Sequence, residues 1–417
     1  MSGYVWSASK RTVGMALRAV RRSEVREGGG AFANTRGACA TLRNACAKMA
    51  STAIAAAVYA LAACDSHHTE TGAPNPRPDI RTQRLAIPKT GAYLGAYIDW
   101  GEKEDAVALE TIDSFEQTVG KRQAIIASSS YWGEQNFPED NVRLITNHGS
   151  VPFIFWSPWD KPYIEGRGPD KYSITSIIEG KHDAYIDLWA EKARAFGGPI
   201  MVSFANEMNG SWFPWSGLNY GGSRVLPAAS PKFKRYEGPE TFKKAYRHVV
   251  DRVRAKGAGN IQWVLHLMNY SLPQDEWNLA PQYYPGRDYC DWLGFSLYGA
   301  QFADDKWADF FPLFEWPYQE LQRIDPTKPV MVCEWGVGDF PGKGRKAQFI
   351  RDGLRWMKDP RFPNLKACVY WHERWQNEDS RYSNLRVNST PESLAAYRDG
   401  VANPFYLGDP IFEPAKR

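Results

Sequence analysis

From Gly91 onward, apolar residues come in eight short continuous runs rather than in strict alternation. They cover 91–98 (Gly-Ala-Tyr-Leu-Gly-Ala-Tyr-Ile), 123–128, 151–156 (Val-Pro-Phe-Ile-Phe-Trp), 199–205, 261–266, 291–297, 329–333 and 366–371. A strand reads this way when both of its faces are covered, as in a parallel sheet walled by helices. Most of the intervals carry apolar residues at three- and four-residue spacing. That spacing predicts helices over 183–195, 240–255, 307–323 and 343–358. The interval 267–290 is the exception and reads as loop with at most a short helix. Eight strand–helix alternations in roughly 320 residues predict the α/β class, as a (β/α)8 TIM barrel spanning 89–417.

The pattern upstream is different. Residues 49–63 (Met-Ala-Ser-Thr-Ala-Ile-Ala-Ala-Ala-Val-Tyr-Ala-Leu-Ala-Ala) are uncharged, with Lys48 before them and Cys64 after. A stretch this short is a signal-peptide core rather than a membrane span. Leu61-Ala62-Ala63-Cys64 resembles a bacterial lipobox, in which Cys64 would be lipidated; the alternative is a plain signal peptide cut at its alanine-rich end. Residues 1–64 are therefore read as an extension plus a lipoprotein-type signal, with the true start at Met49 or near it. The polar, proline-containing stretch 65–88 is read as a tether. The expected location is the cell envelope, lipid-anchored on the periplasmic or surface side, or outside the cell.

Charge sharpens this division. Nine Lys or Arg against Glu24 and Glu27 give residues 1–48 a charge of +7, which leaves −3 for the rest of a chain of net +4. The folded part thus has no basic stripe for nucleic acid. Its three cysteines, Cys290, Cys333 and Cys368, have no metal-binding spacing and read as small buried hydrophobes. Alternation along the strand places Cys333 opposite its neighbour Glu334, toward the helices.

In a barrel of this kind the carboxyl ends of the strands form the functional face. Glu207 closes the fourth run, within Asn206-Glu207-Met208-Asn209-Gly210-Ser211-Trp212-Phe213-Pro214-Trp215, and Glu334 closes the seventh, before Trp335-Gly336. A carboxylate at a buried strand end is costly to desolvate. Two of them match the requirement for cleaving a glycosidic bond with retention, where one carboxyl protonates the departing oxygen and the other attacks carbon. Phe204, Trp212 and Trp215 are candidate apolar walls for Glu207, and Tyr298 is the candidate donor to the nucleophile. Trp156, Trp159, Trp212, Trp335, Trp371 and Trp375 are candidate stacking surfaces for sugars, and His266 and His372 lie at strand ends. The 17 Trp, 21 Tyr and 20 Phe make such surfaces plausible in number.

These motifs resemble glycoside hydrolase family 26 over about residues 91–405. The likeness rests on Gly95 through Trp100, Pro152 through Pro158, Asn206 through Gly217, Tyr284-Pro285-Gly286 leading into Asp291-Trp292-Leu293-Gly294, and Val332 through Gly336. It implies Glu207 as acid/base, Glu334 as nucleophile, Tyr298 bonded to the nucleophile and Trp371 beneath the sugar at the cleavage point. It implies a β-linked polysaccharide as substrate, of β-1,4-mannan or mixed-linkage β-glucan type, or β-1,3-xylan. One departure is Asn206, where many mannanases of the family carry histidine; it weakens mannan and leaves glucan or xylan open. The candidate ligand-contacting set is thus Asn206, Trp156, Trp212, Trp215, His266, Tyr298, Trp335 and Trp371, with no metal and no cofactor implied and a monomer expected. Two other readings are a non-catalytic carbohydrate-binding lipoprotein, which needs neither carboxyl, and a hydrolase of a bacterial exopolysaccharide.

Overall fold

All eight apolar runs become strands of one parallel sheet in the computed structural model, which describes residues 83–101, 103–160, 171–227, 234–377 and 379–414. The strands are β1 (Ala92–Ile98), β2 (Ile125–Tyr131), β3 (Val151–Ser157), β4 (Ile200–Phe204), β5 (Ile261–Met268), β6 (Trp292–Tyr298), β7 (Val330–Gly336) and β8 (Leu365–His372). Each pairs with the next. β8 returns to β1, with Ala367 opposite Tyr93 and His372 opposite Ile98, so the sheet closes into a barrel. Nearly every strand residue is buried, which is why the runs are apolar on both faces.

Around the strands lie α1 (Leu109–Val119), α2 (Glu139–His148), α3 (Asp183–Phe196), α4 (Glu237–Ala255), α5 (Phe310–Ile324), α6 (Lys346–Trp356) and α7 (Pro391–Val401). In α3 the buried residues Tyr185, Ile186, Trp189, Ala190 and Ala193 fall on one stripe, as the spacing predicted. α4 begins three residues earlier than its apolar pattern, because Pro239 sits in the first turn, where a missing N–H costs no helical bond. α5 begins three residues later; Trp307, expected within it, packs edge-on against Phe349 of α6 instead. Between β5 and β6 the chain makes three single 3₁₀ turns, at Glu276–Asn278, Ala280–Tyr283 and Arg287–Tyr289, in place of a long helix.

The amino ends of the strands are closed by a two-stranded ladder, Gln83–Leu85 antiparallel to Phe412–Pro414. Gln262, at the start of β5, clamps it: its side chain accepts from the Leu85 N–H at 2.8 Å and donates to the Leu85 carbonyl at 3.1 Å. Arg84 also reaches Asp291, just before β6. The last residues of the expected tether, 83–88, are therefore part of the folded body, with Leu85 fully buried. The rest of that stretch, and the extension with Cys64, lie outside the described residues. Among the described residues, no helix is long and apolar enough to cross a membrane.

Candidate active site

Both glutamates sit at the carboxyl mouth of the barrel, but each arrives there by an irregular backbone. β4 ends at Phe204, yet the Glu207 N–H still donates to the His266 carbonyl at 2.7 Å, so the chain stays attached to β5. Ala205 and Glu207 have φ of 52° and 54°, and Asp99 and Glu104, beyond β1, have 32° and 55°. A non-glycine residue in this region is held at a cost of about 1–2 kcal/mol, and such residues gather where side chains must be aimed.

Glu334 is aimed by a β-bulge. Val332 pairs with Phe295 and Glu334 with Ser296, so the register slips across Cys333, and it slips on the β8 side as well. The bulge turns two successive side chains inward. Cys333 Sγ lies over Gly294, where a Cβ would stand only 2.3 Å away; glycine is required there. The expectation that Cys333 faces the helices is thereby corrected, because simple alternation does not hold through a bulge.

One carboxylate oxygen of Glu207, one of Glu334 and one ring nitrogen of His266 lie within 4.8 Å of one another. Glu207 accepts from Trp212 Nε1 at 2.8 Å, and Glu334 accepts from the Tyr298 hydroxyl at 2.7 Å. Trp212 reaches back because its indole folds over Gly210, where a Cβ would approach to 2.5 Å. His266 is fully buried between Ser203 Oγ (3.2 Å from Nδ1) and Ser296 Oγ (2.7 Å from Nε2). With both ring nitrogens engaged, the trio does not offer a cation three free ligands.

Burial pushes both carboxyls above the ordinary glutamate range. Hydrogen bonds from Ser296 and Trp212 pull Glu207 back; on Glu334 the charge of Glu207 adds to burial, and the Tyr298 bond opposes it. Like charges this close resist ionising together, so the pair titrates as a unit that keeps one proton to higher pH. Burial drives His266 down to about 3, so its imidazole is neutral.

Of the expected ligand-contacting aromatics, Trp212 stands half-buried beside Glu207 and Trp371 lies one residue before the end of β8. Trp371 stacks one face on Tyr97 (3.8 Å between centroids, 7° between planes) and donates to Glu373 Oε2 at 2.7 Å. Asn206 adjoins Glu207 at the mouth. Four others do not face the cleft. Trp156 points into the helical layer, stacked on Trp189 of α3 at 4.2 Å and bonded to the Tyr185 hydroxyl. Trp335 also points outward, against Phe310 of α5 and Tyr397 of α7. Trp215 is buried behind the mouth, stacked on Phe213 and donating to the Asn206 carbonyl at 2.6 Å. His266 has no exposed surface to offer a sugar. Phe204 likewise packs toward Tyr246 of α4 and is no wall of Glu207. Trp159 and Trp375 are buried in rim packing, and His372 accepts from the Val387 N–H.

The structure adds residues the sequence did not single out. Ser296 lies against His266, with its hydroxyl 2.7 Å from Nε2. Glu373 holds the Trp371 indole, Asp99 pairs with Arg386 at 2.6 Å, and Glu104 accepts from Ser129 at 2.8 Å. A polar Ser296 inside an otherwise apolar strand, in step with Gly294 and Tyr298, was the available signal for the first.

Fold and site together define a (β/α)8 barrel with two buried carboxylates paired at its carboxyl mouth. Residues 175–315 match the model of glycosyl hydrolase family 26. That match agrees with the family the sequence resembles. The chain is 28% identical over 323 residues to endoglucanase H of Acetivibrio thermocellus, covering 76% of this chain and 31% of that protein. It is 22% identical over 297 residues to a mannan endo-1,4-β-mannosidase of Bacillus subtilis, covering 66% of this chain and 73% of that one. The chain thus spans less than a third of the endoglucanase it matches. Among solved structures, the catalytic domain of an endo-β-1,4-mannanase from Bacillus sp. JAMB-750 superposes with a TM-score of 0.54 at 18% identity, covering 76% of this chain and 87% of that one.

Proposed function

We propose that the chain is a retaining endo-β-glycanase acting on a β-linked polysaccharide of β-1,4-mannan or mixed-linkage β-glucan type. The observation that carries this reading is the close pairing of the two buried carboxylates, with one oxygen of Glu207 within 4.8 Å of one oxygen of Glu334. Retaining enzymes hold their carboxyls about 5–5.5 Å apart, whereas inverting ones leave about 6.5–9.5 Å for a water. In the first step Glu334 attacks the anomeric carbon as the glycosidic C–O bond breaks, and Glu207 gives its proton to the departing oxygen. In the second, Glu207 takes a proton from water while the water oxygen displaces Glu334. Glu334 is the carboxyl driven up more strongly by burial and by its neighbour. Roles therefore follow from the position of each carboxyl relative to the sugar, with Tyr298 holding Glu334 and Trp212 holding Glu207. Glucan is supported by the endoglucanase relative and by Asn206; mannan by the mannosidase relative.

The protein is further read as a monomer held in the cell envelope through Cys64, or secreted. The deciding experiment is digestion of mannan, glucomannan, barley β-glucan and β-1,3-xylan with product sizing and NMR of the first anomer released. Retention is expected, with activity lost in Glu207→Ala and Glu334→Ala. An inverted product, or variants as active as the parent, would refute the reading.

A further inference from the structure

Trp371 turns inward on β8, because its neighbour Tyr370 packs outward on Trp335 and Tyr397. β8 pairs with β7, Tyr370 opposite Trp335, so Trp371 and Glu334 point into the mouth from adjacent strands. Ring contacts link the two: Phe155 lies 6.0 Å from Trp371 and 5.7 Å from His266, whose Nε2 stands 3.8 Å from Glu334 Oε1. Two residues hold the indole there. Tyr97, fully buried, covers one of its faces at 3.8 Å between centroids and 7° between planes, which leaves only the opposite face for a sugar. Glu373, also buried, accepts from Nε1 at 2.7 Å, and its own carbonyl accepts from the Leu385 N–H at 2.8 Å. Other buried indoles of the barrel donate to neutral groups: Trp100 to the Ala127 carbonyl, Trp156 to the Tyr185 hydroxyl and Trp215 to the Asn206 carbonyl. A neutral acceptor would satisfy Trp371 equally well. A buried carboxylate is costly to desolvate, so packing alone does not account for Glu373.

We propose that Glu373 is a positioning residue that acts through Trp371: it fixes the indole plane against Tyr97 and polarises the ring, so that the uncovered face opposes the positive charge developing on the sugar. The inference rests on the reading of the chain as a retaining glycosidase with Glu334 as nucleophile. A carboxylate acceptor makes the Nε1–H bond charge-assisted and deepens the negative potential of the indole faces. Such a face attracts a cation beyond its attraction for a neutral ring. The sugar is neutral when it binds and oxocarbenium-like when the glycosidic bond breaks. The contact that Glu373 strengthens is therefore stronger in the transition state than in the bound complex, and its loss should appear in kcat rather than in KM.

The test compares Glu373→Gln, which keeps an acceptor oxygen for Nε1 but removes the charge, with Glu373→Leu, which removes both. On the polysaccharide that the panel identifies, kcat is expected to fall about tenfold in Glu373→Gln with KM within about twofold of the parent. In Glu373→Leu the plane is also released, so kcat falls further and KM rises. The glutamine variant is close in shape to the parent and carries the test even where the leucine variant fails to fold. A spectroscopic readout is independent of turnover: the Trp371 indole N–H proton resonance, assigned by its loss in Trp371→Phe, should move upfield in Glu373→Gln as the acceptor loses its charge. An unmoved resonance, or a loss confined to KM, overturns the proposal. A parental kcat in Glu373→Gln, with Glu334→Ala inactive, overturns the role of Glu373 alone. An active Glu334→Ala overturns the reading on which that role depends.

Discussion

Removing the Tyr298 hydroxyl isolates one of the contacts that separate the two glutamates. Tyr298→Phe keeps the ring in place and deletes a donor 2.7 Å from Glu334 Oε2. A hydrogen bond to an ionised partner contributes about 1.5–3 kcal/mol. Lost from Glu334 in its proposed role as nucleophile, that corresponds to about a 10- to 100-fold fall in kcat/KM, at about 1.4 kcal/mol per tenfold. The pH profile should change with a definite sign. The donor favours ionised Glu334, so its removal pushes a carboxyl already raised by burial and by the Glu207 charge still higher. Attack needs the ionised form, which exists above that pKa; the acid limb of kcat/KM therefore moves to higher pH while the alkaline limb stays. The assay is initial rate against pH on the polysaccharide cut by the parent protein, with melting temperature as a control for folding. An unmoved acid limb, or kcat/KM within twofold of the parent across the range, would refute the role given to Tyr298.

A glutamate whose folded pKa is raised stabilises least where it must ionise: the benefit is present below its unfolded pKa and is lost as pH rises toward the folded one. Glu334→Gln should therefore melt near the parent's temperature at low pH and increasingly above it as pH rises past the ordinary glutamate range; a constant difference would count against the raised pKa. Trp156→Ala should cost about 3–5 kcal/mol in urea unfolding without changing KM of the remaining folded enzyme, since its indole fills the helical layer. Trp371→Ala should show the converse, a kinetic defect larger than its stability loss; equal KM effects from the two variants would contradict their placement. Gln262→Ala strips the bonds from both backbone groups of Leu85, so amide exchange and proteolysis near residue 85 should accelerate while kcat holds.

The strands were legible because burial on both faces writes itself as uninterrupted apolar sequence; only their ends moved by a few residues. The two glutamates were legible for the opposite reason, as charge at positions where charge is costly. What misled was proximity. Trp156 and Trp335 adjoin functional strand ends, but Phe155 and Glu334 already take the inward direction, so alternation sends both indoles outward. That rule was readable from the chain. Its failure at Cys333 was not, since a bulge inserts a residue without marking the sequence. Ser296 and Glu373 are defined by partners 30 and 2 residues away, and only the closed barrel shows that His266 and Trp371 reach them.

The ladder beneath the barrel also sets which way the molecule looks. Residues 83–85 and 412–414 lie side by side at the pole opposite Glu207 and Glu334. Both ends of the described residues therefore lie on the underside of the barrel. A probe attached at Gln83 or at Pro414 would sit across the barrel from the two carboxylates and leave the mouth unobstructed.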